Sequence, residues 1–221
     1  MAQIICTVDV VLLTLKEDGL KVALLRRDHE PFKGVNALPG GYIHIDEDMD
    51  TQDAALRVLK EKTGITVPYL EQLSTFSGPA RDPRGWSISV VYYALVPFEV
   101  IERAGHPAVK LISVDRPPQL PFDHRAILEA AVTRLRGKSQ YSSLPCFLAG
   151  DTFTLPQLQH VYEVLMGEPL NKVSFRRKMT EMDMLEPVEG AFDSAGAHRP
   201  AQLYRLKPEF RKQLTLLERG L

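Results

Sequence analysis

Two runs near the N-terminus, Ile4 to Leu15 and Leu20 to Arg26, are dense in aliphatic and β-branched residues, and the polar Glu17-Asp18-Gly19 separates them. That pattern predicts a β-hairpin. The segment Pro31 to Asp50, rich in Pro, Gly and acids, is expected as a long ordered loop. At residue 50 the period changes: Asp50 or Thr51 can cap a helix that reaches Thr63, with Gly64 as its C-terminal stop. Strands are expected again at Val67 to Phe76 and Ser87 to Val96. A helix from Asp123 to Arg136 places Ile127, Leu128, Ala131 and Leu135 on one stripe. Strands and helices mixed in this order predict an α+β chain beginning with a sandwich of sheet and helices.

The periodicity breaks over Gly137 to Gly150, which divides the chain into expected domains at 1–140 and 150–221. After the break, Thr154 followed by Leu155, Leu158, Val161 and Leu165 marks a capped amphipathic helix ended by Gly167 and Pro169. A second helix is expected from Asn171 to Met182, with Phe175, Met179 and Met182 facing inward. Leu185 to Val188 and Leu203 to Leu206 can pair as strands around a loop. Helix, tight turn, helix and two-stranded wing is the order of a winged helix-turn-helix.

Composition adds little beyond exclusions. With 44% hydrophobic and 25% charged residues, the 221-residue chain has the make-up of an ordinary soluble protein. No apolar run reaches the roughly 20 residues that span a bilayer. MAQIICTVDVVLL has no basic stretch ahead of its apolar run, so it reads as a first strand and not as a signal peptide, and the chain is expected in the cytoplasm without membrane contact. Cys6 and Cys146 are expected as buried thiols. A net charge of −1 means that any basic surface is local. One such surface stands out: Lys172, Arg176, Arg177 and Lys178 lie between Leu170 and Met179 with no acid among them. With the inward stripe buried, Arg177 points away from the core and Ser174 and Arg176 flank it, a face suited to a major groove. His198, Arg199 and Pro200 sit between the wing strands, where an Arg can reach a minor groove.

The segment GGYIHIDEDMDTQDAALRVLKEKTGI, residues 40 to 65, resembles a Nudix box that has lost metal-binding acids. Gly41 and Glu47 fit its front, and Arg57, Leu59, Glu61, Gly64 and Ile65 its back, with two extra residues between the halves. Val58 and Lys62 stand where the box has glutamates. Four residues apart, they share a helix face that in a Nudix hydrolase presents carboxylates to Mg²⁺. No metal and no required cofactor is therefore expected, and no catalytic residue is assigned. His44, His124 and His160 share no ligand spacing. Asp46, Glu47 and Asp48 are expected as a solvated cluster, and Glu61 as a structural residue.

Both halves together are similar to the NrtR family, Nudix-related transcriptional regulators of NAD metabolism. The likeness rests on LLRRDHEPFKGVNALPGGYI, the degenerate box, YLEQLSTFSGPARDPRGWSISVVYYALVP, FTLPQLQHVYEVLMGEPLNKVSFRRKM and HRPAQLYRL. One departure is Ala197-His198 ahead of Arg199-Pro200-Ala201, where the family pattern has Gly. The resemblance implies an N-terminal Nudix-like α/β/α sandwich, a C-terminal winged helix-turn-helix and a homodimeric repressor of NAD synthesis or salvage genes. Such a repressor binds a palindromic double-stranded operator and is released by ADP-ribose; some relatives respond to a sugar instead. It assigns the effector to Arg26, Arg27, Gly40, Gly41, Arg57, Arg81, Asp82, Arg84 and Trp86. DNA is assigned to Thr154, Lys172, Ser174, Arg176, Arg177, Lys178, Arg199, Pro200 and Tyr204. Two rivals stay open: an active ADP-ribose hydrolase using Glu47, Asp48 and Glu61 in a shifted metal site, and a module whose second domain binds protein.

Overall fold

The computed structural model describes residues 4–193 and 200–212, which separate into two compact units, Met1–Arg134 and Leu135–Leu221. The first is a seven-stranded mixed sheet centred on β1 (Ile5–Lys16). β1 turns through Glu17-Asp18 into β2 (Gly19–Arg26), the expected hairpin, with Lys16 opposite Gly19. On its other edge β1 runs parallel to β6 (Ser87–Leu95), from Ile5↔Ser87 to Leu13↔Leu95, and β5 (Tyr69–Gly78) lies antiparallel beyond it. The region expected as loop contains two short strands, β3 (Asn36–Ala37) on β2 and β4 (Gly40–Tyr42) on β1. β7 (Val109–Ser113), preceded by α2 (Phe98–Ala104), also pairs with β2.

On its hairpin side β1 changes partner. Thr7 to Asp9 pair with β4 and Leu13 to Lys16 with β2. Between them the Val10 amide donates to the Pro39 carbonyl instead of to a strand. The sheet forks there, and alternation along the strand decides what each face meets. Val8, Val10 and Leu12 are buried in the same clusters as Ala54, Ala55, Val58 and Leu59 of α1 (Thr51–Thr63). Thr7 and Asp9 face the cavity described below. α1 starts and stops where local chemistry puts its ends: Asp50 accepts from the Gln52 and Asp53 amides, and Gly64 closes the helix in the left-handed conformation, φ 70°. Cys6 is exposed, contrary to expectation, because it lies at the strand's entry, one residue before β4 begins to cover it. Cys146 is buried, and burial pushes its thiol up to about 12.

α3 (His124–Ser139) does not stop at the expected break; it continues through Gly137 and crosses the division between units. Its stripe of Ile127, Leu128, Ala131 and Leu135 is fully buried. In the second unit a short 3-10 helix, Leu144–Leu148, is buried throughout, so much of the stretch where the periodicity breaks is core. α4 (Leu155–Met166) and α5 (Lys172–Glu181) follow, with β8 (Phe153–Thr154), β9 (Leu185–Asp193) and β10 (Ala201–Leu206) in a sheet of order β8-β10-β9. α6 (Pro208–Lys212) closes the described chain. The Tyr162 ring meets Phe175 edge-on at 5.5 Å, which locks α4 to α5. Among the described residues no helix is long and apolar enough to cross a membrane.

Leu12 is fully buried at the centre of the sheet. Leu12→Ala is expected to cost about 2–5 kcal/mol, read as a lowered urea midpoint with an unchanged slope.

Candidate ligand site and nucleic-acid interface

A cavity of about 530 Å³ opens at the fork of β1. Its lining gathers Thr7 and Asp9, the end of β2 from Leu25 to Arg27, Gly40 to Tyr42, Glu61 and Lys62 of α1, Arg81, Asp82 and Arg84, and Phe122 and His124. Of the expected ligand residues it brings together Arg26, Arg27, Gly40, Gly41, Arg81, Asp82 and Arg84. Two lie elsewhere. Arg57 points into the preceding loop, where Nε and Nη2 donate to the two oxygens of Asp48, each at 2.8 Å, and Nη2 also reaches the Tyr42 carbonyl at 3.0 Å. The Asp48 side chain is only 2% exposed in that clamp, so the expected solvated cluster holds for Glu47 but not for Asp48. Trp86 is 44% exposed and outside the lining; its carbonyl takes the Ile5 amide as β1 begins.

Asp9 and His124, assigned no role from the sequence, form the cavity's floor. Asp9 is buried and accepts from the Ser89 hydroxyl at 2.7 Å, with His124 Nε2 at 3.5 Å and Arg81 Nη2 at 3.4 Å. His124 Nδ1 accepts the Leu38 amide at 3.1 Å, which leaves Nε2 as the nitrogen facing Asp9. Burial works against the Asp9 carboxylate, but the His124 contact, Ser89 and Arg81 together hold it below the usual range. Arg81 gives two 3.0 Å hydrogen bonds to Asp123, immediately before α3. Asp82 grips Arg84 through both oxygens, at 3.0 and 2.6 Å, and the free arm of Arg84 donates to the Tyr42 hydroxyl at 2.6 Å. Gly40 has to be glycine, since a Cβ there would collide with Asp9. A polar residue in the middle of a long apolar strand was the available signal for Asp9.

The residues at the two altered box positions are both committed. Val58, 1% exposed, packs with Val8 and Ala54, and a Cβ on Gly41 would come within 2.9 Å of it. Lys62 Nζ donates to the Gly40 carbonyl. Glu61 lines the cavity and lies 3.4 Å from Arg57. Among the described residues no group of three or more His, Cys, Asp or Glu is placed to hold a metal ion. The Mg²⁺ that the Nudix box implies does not fit this residue set.

In the second unit, Glu163 accepts the Leu170 amide and Gln159, both at 2.9 Å, and so fixes the turn into α5. Asn171 caps α5 by accepting from the Val173 and Ser174 amides. Phe175 and Met179 are buried, while Lys172, Val173, Ser174, Arg176 and Arg177 are exposed and Lys178 is half-buried. The Arg177 side chain is 75% exposed, with Glu181 at 3.6 Å. Thr154 does not join this face. It is buried, its hydroxyl accepts from the Gln157 amide, and a capping box completes the arrangement. Pro200 is exposed and Tyr204 is half-buried in β10 opposite Phe153; Arg199 lies outside the described residues.

Two family models match this chain: the NUDIX domain over residues 6–131 and the NrtR DNA-binding winged helix domain over residues 145–206. The "ADPR responsive transcriptional repressor NtrR" of Acinetobacter baylyi is 38% identical over 203 residues, 90% of this chain and 80% of that protein. The chain belongs to the NrtR family. Shewanella oneidensis NrtR, solved in complex with a 27mer DNA, matches at 41% identity and a TM-score of 0.89, covering 98% of this chain and 99% of that one. The NUDIX domain of the same NrtR, solved with ADP ribose, matches at 39% identity and a TM-score of 0.54 over 61% of this chain and 90% of its own.

Arg57 holds Asp48 at about 2, chiefly through its hydrogen bonds. A carboxylate lowered on folding adds stability above its unfolded value of about 4, and loses it as pH falls through the folded value. Wild-type urea midpoints are expected to drop more steeply than those of Asp48→Asn between pH of about 4 and about 2. Parallel curves would contradict the clamp.

Proposed function

We propose that this NrtR-family chain is a transcriptional repressor that binds operator DNA through α5 and the wing and is released when ADP-ribose fills the Nudix cavity. The observation that carries the reading is the state of the box helix. It offers a packed Val58 and an ammonium where a hydrolase needs carboxylates. Beside that loss of metal chemistry, the same chain presents a capped helix whose apolar side is sealed against α4 and whose other side is exposed and basic. On this reading the chain is a binding protein and not an enzyme, and it needs no cofactor.

The cavity suits a nucleotide carrying a diphosphate. Arg26 and Arg27 approach it from the end of β2, Arg84 stands over Tyr42, and Gly40 and Gly41 keep backbone close to the ligand. The first turn of α5 offers Lys172 and Ser174 to phosphate and Arg176 and Arg177 to base edges. A homodimer on a palindromic site would set two such helices about 34 Å apart, one turn of B-DNA. α3 supplies the route between the functions, because it begins at the cavity floor with His124 and ends among residues of the second unit. Glu61, at the cavity wall, is a feature that favours the rival hydrolase.

Gel-shift titration with promoter fragments of NAD-metabolism genes tests the function. Binding that weakens steeply with salt and is reversed by ADP-ribose is expected. Failure to bind any such fragment at moderate salt, or Mg²⁺-dependent AMP release that Glu61→Gln abolishes, would overturn it. Arg177→Ala is expected to weaken operator binding by roughly 1–3 kcal/mol; unchanged affinity would put another face in the groove. With Arg84→Ala, operator is expected to stay bound when ADP-ribose is added, and normal release would remove Arg84 from the effector site.

A further inference from the structure

The cavity's cations are not equivalent. Arg81 is neutralised by Asp123 and Asp9, and Arg84 by Asp82. Arg26, Arg27 and Lys62 have no carboxylate within 4.0 Å among the described residues. Arg27 is tied back by the Pro31 carbonyl at 2.8 Å and lies over the Phe122 ring at 4.9 Å. Lys62 differs from both arginines in being fixed on a helix at a defined point. Its Nζ donates to the Gly40 carbonyl, at the head of the box, and has two further protons to give. Its pKa is lowered by partial loss of solvent, with the Asp28 charge the largest influence opposing that. Lys62 is exposed at the cavity wall, and a cation held on an uncharged carbonyl with no carboxylate beside it is free to take an anion.

We infer that Lys62 does for the effector what a divalent cation does in a Nudix hydrolase: seated on the Gly40 carbonyl, its ammonium holds the diphosphate directly, so nucleotide binding by this chain requires no metal. The inference rests on the ADP-ribose reading above and adds the charge that recognises the ligand. Geometry supports it from two sides. The helix face that would carry metal ligands is closed at Val58, which fills the space under Gly41. One turn on, Lys62 supplies a positive charge at a backbone oxygen of the kind that binds hard cations. A fixed ammonium also stabilises the diphosphate without polarising a water for attack, which is what a sensor needs from a ligand it must not destroy.

Calorimetric titration of ADP-ribose into the full chain, in EDTA and again in excess Mg²⁺, tests the proposal. Wild-type affinity is expected to be as high in EDTA as in Mg²⁺. Lys62→Met is expected to raise Kd roughly 10- to 100-fold in EDTA, the loss of one charge-assisted hydrogen bond to the diphosphate. Circular dichroism on the same sample reports whether the variant is folded; the wild-type comparison stands whatever it shows. Binding by the wild type that appears only with Mg²⁺, or unchanged affinity in a folded Lys62→Met, would overturn the role of Lys62 and leave the effector reading intact. Absence of ADP-ribose binding in both buffers would overturn both.

Discussion

The carboxylate of Asp9, buried in the longest strand, is the interaction on which the effector half of the molecule depends. An unpaired carboxylate in such a place would cost several kcal/mol. Here it draws in Ser89 from β6, Arg81 from the loop before it and His124 from the start of α3. Each partner is tied to something further: His124 to the Leu38 amide and Arg81 to Asp123. One buried charge therefore sets the cavity floor, the approach of the 79–86 loop and the entry angle of α3. It also fixes Gly40, whose missing side chain makes room for Asp9 and leaves its carbonyl to Lys62.

Around that floor the Nudix framework is kept, and three residues of its box helix have structural partners. Arg57 remains, but as the clamp of Asp48, which pins the loop ahead of α1. Val58 has become core, and Lys62 has become a fixed charge. Val58 helps hold the helix against β1, while Lys62 lines the cavity. α1 is held as well by its caps and by Ala54, Ala55 and Leu59, so its placement does not depend on what stands at positions 58 and 62 alone.

What was legible in the sequence was local. The ends of α1 are written in Asp50 and Gly64, the buried face of α3 in its stripe, and the helix-turn-helix in Thr154, Gly167, Asn171 and Phe175, because caps and periodicity act within a few residues. β7 and α2 escaped: Val109 to Ser113 is a strand only because β2 offers it an edge, and the seven residues of α2 carry no long periodic signal. Arg57 and Trp86 were assigned to the effector on the family resemblance. Their positions were decided by Asp48 in one case and by the start of β1 in the other. Thr154 was expected both to cap α4 and to meet DNA, and its hydroxyl makes the cap. Asp9 and His124 lie far apart in sequence, and nothing local marks them as partners. The family resemblance reached further than residue-level reading for the domain pair, since it draws on both halves at once.

If occupancy of the cavity and of the DNA surface share a single equilibrium, linkage gives a direct test. Coupling between two sites is reciprocal, so the factor by which ADP-ribose weakens operator must equal the factor by which operator weakens ADP-ribose. Calorimetric titration of ADP-ribose into the free protein and into the protein–operator complex measures the second factor. A higher Kd in the complex, by the same factor found for operator release, is the predicted result. Equal affinity in both states would show that the cavity and the DNA-binding helix are not coupled, and would contradict the account.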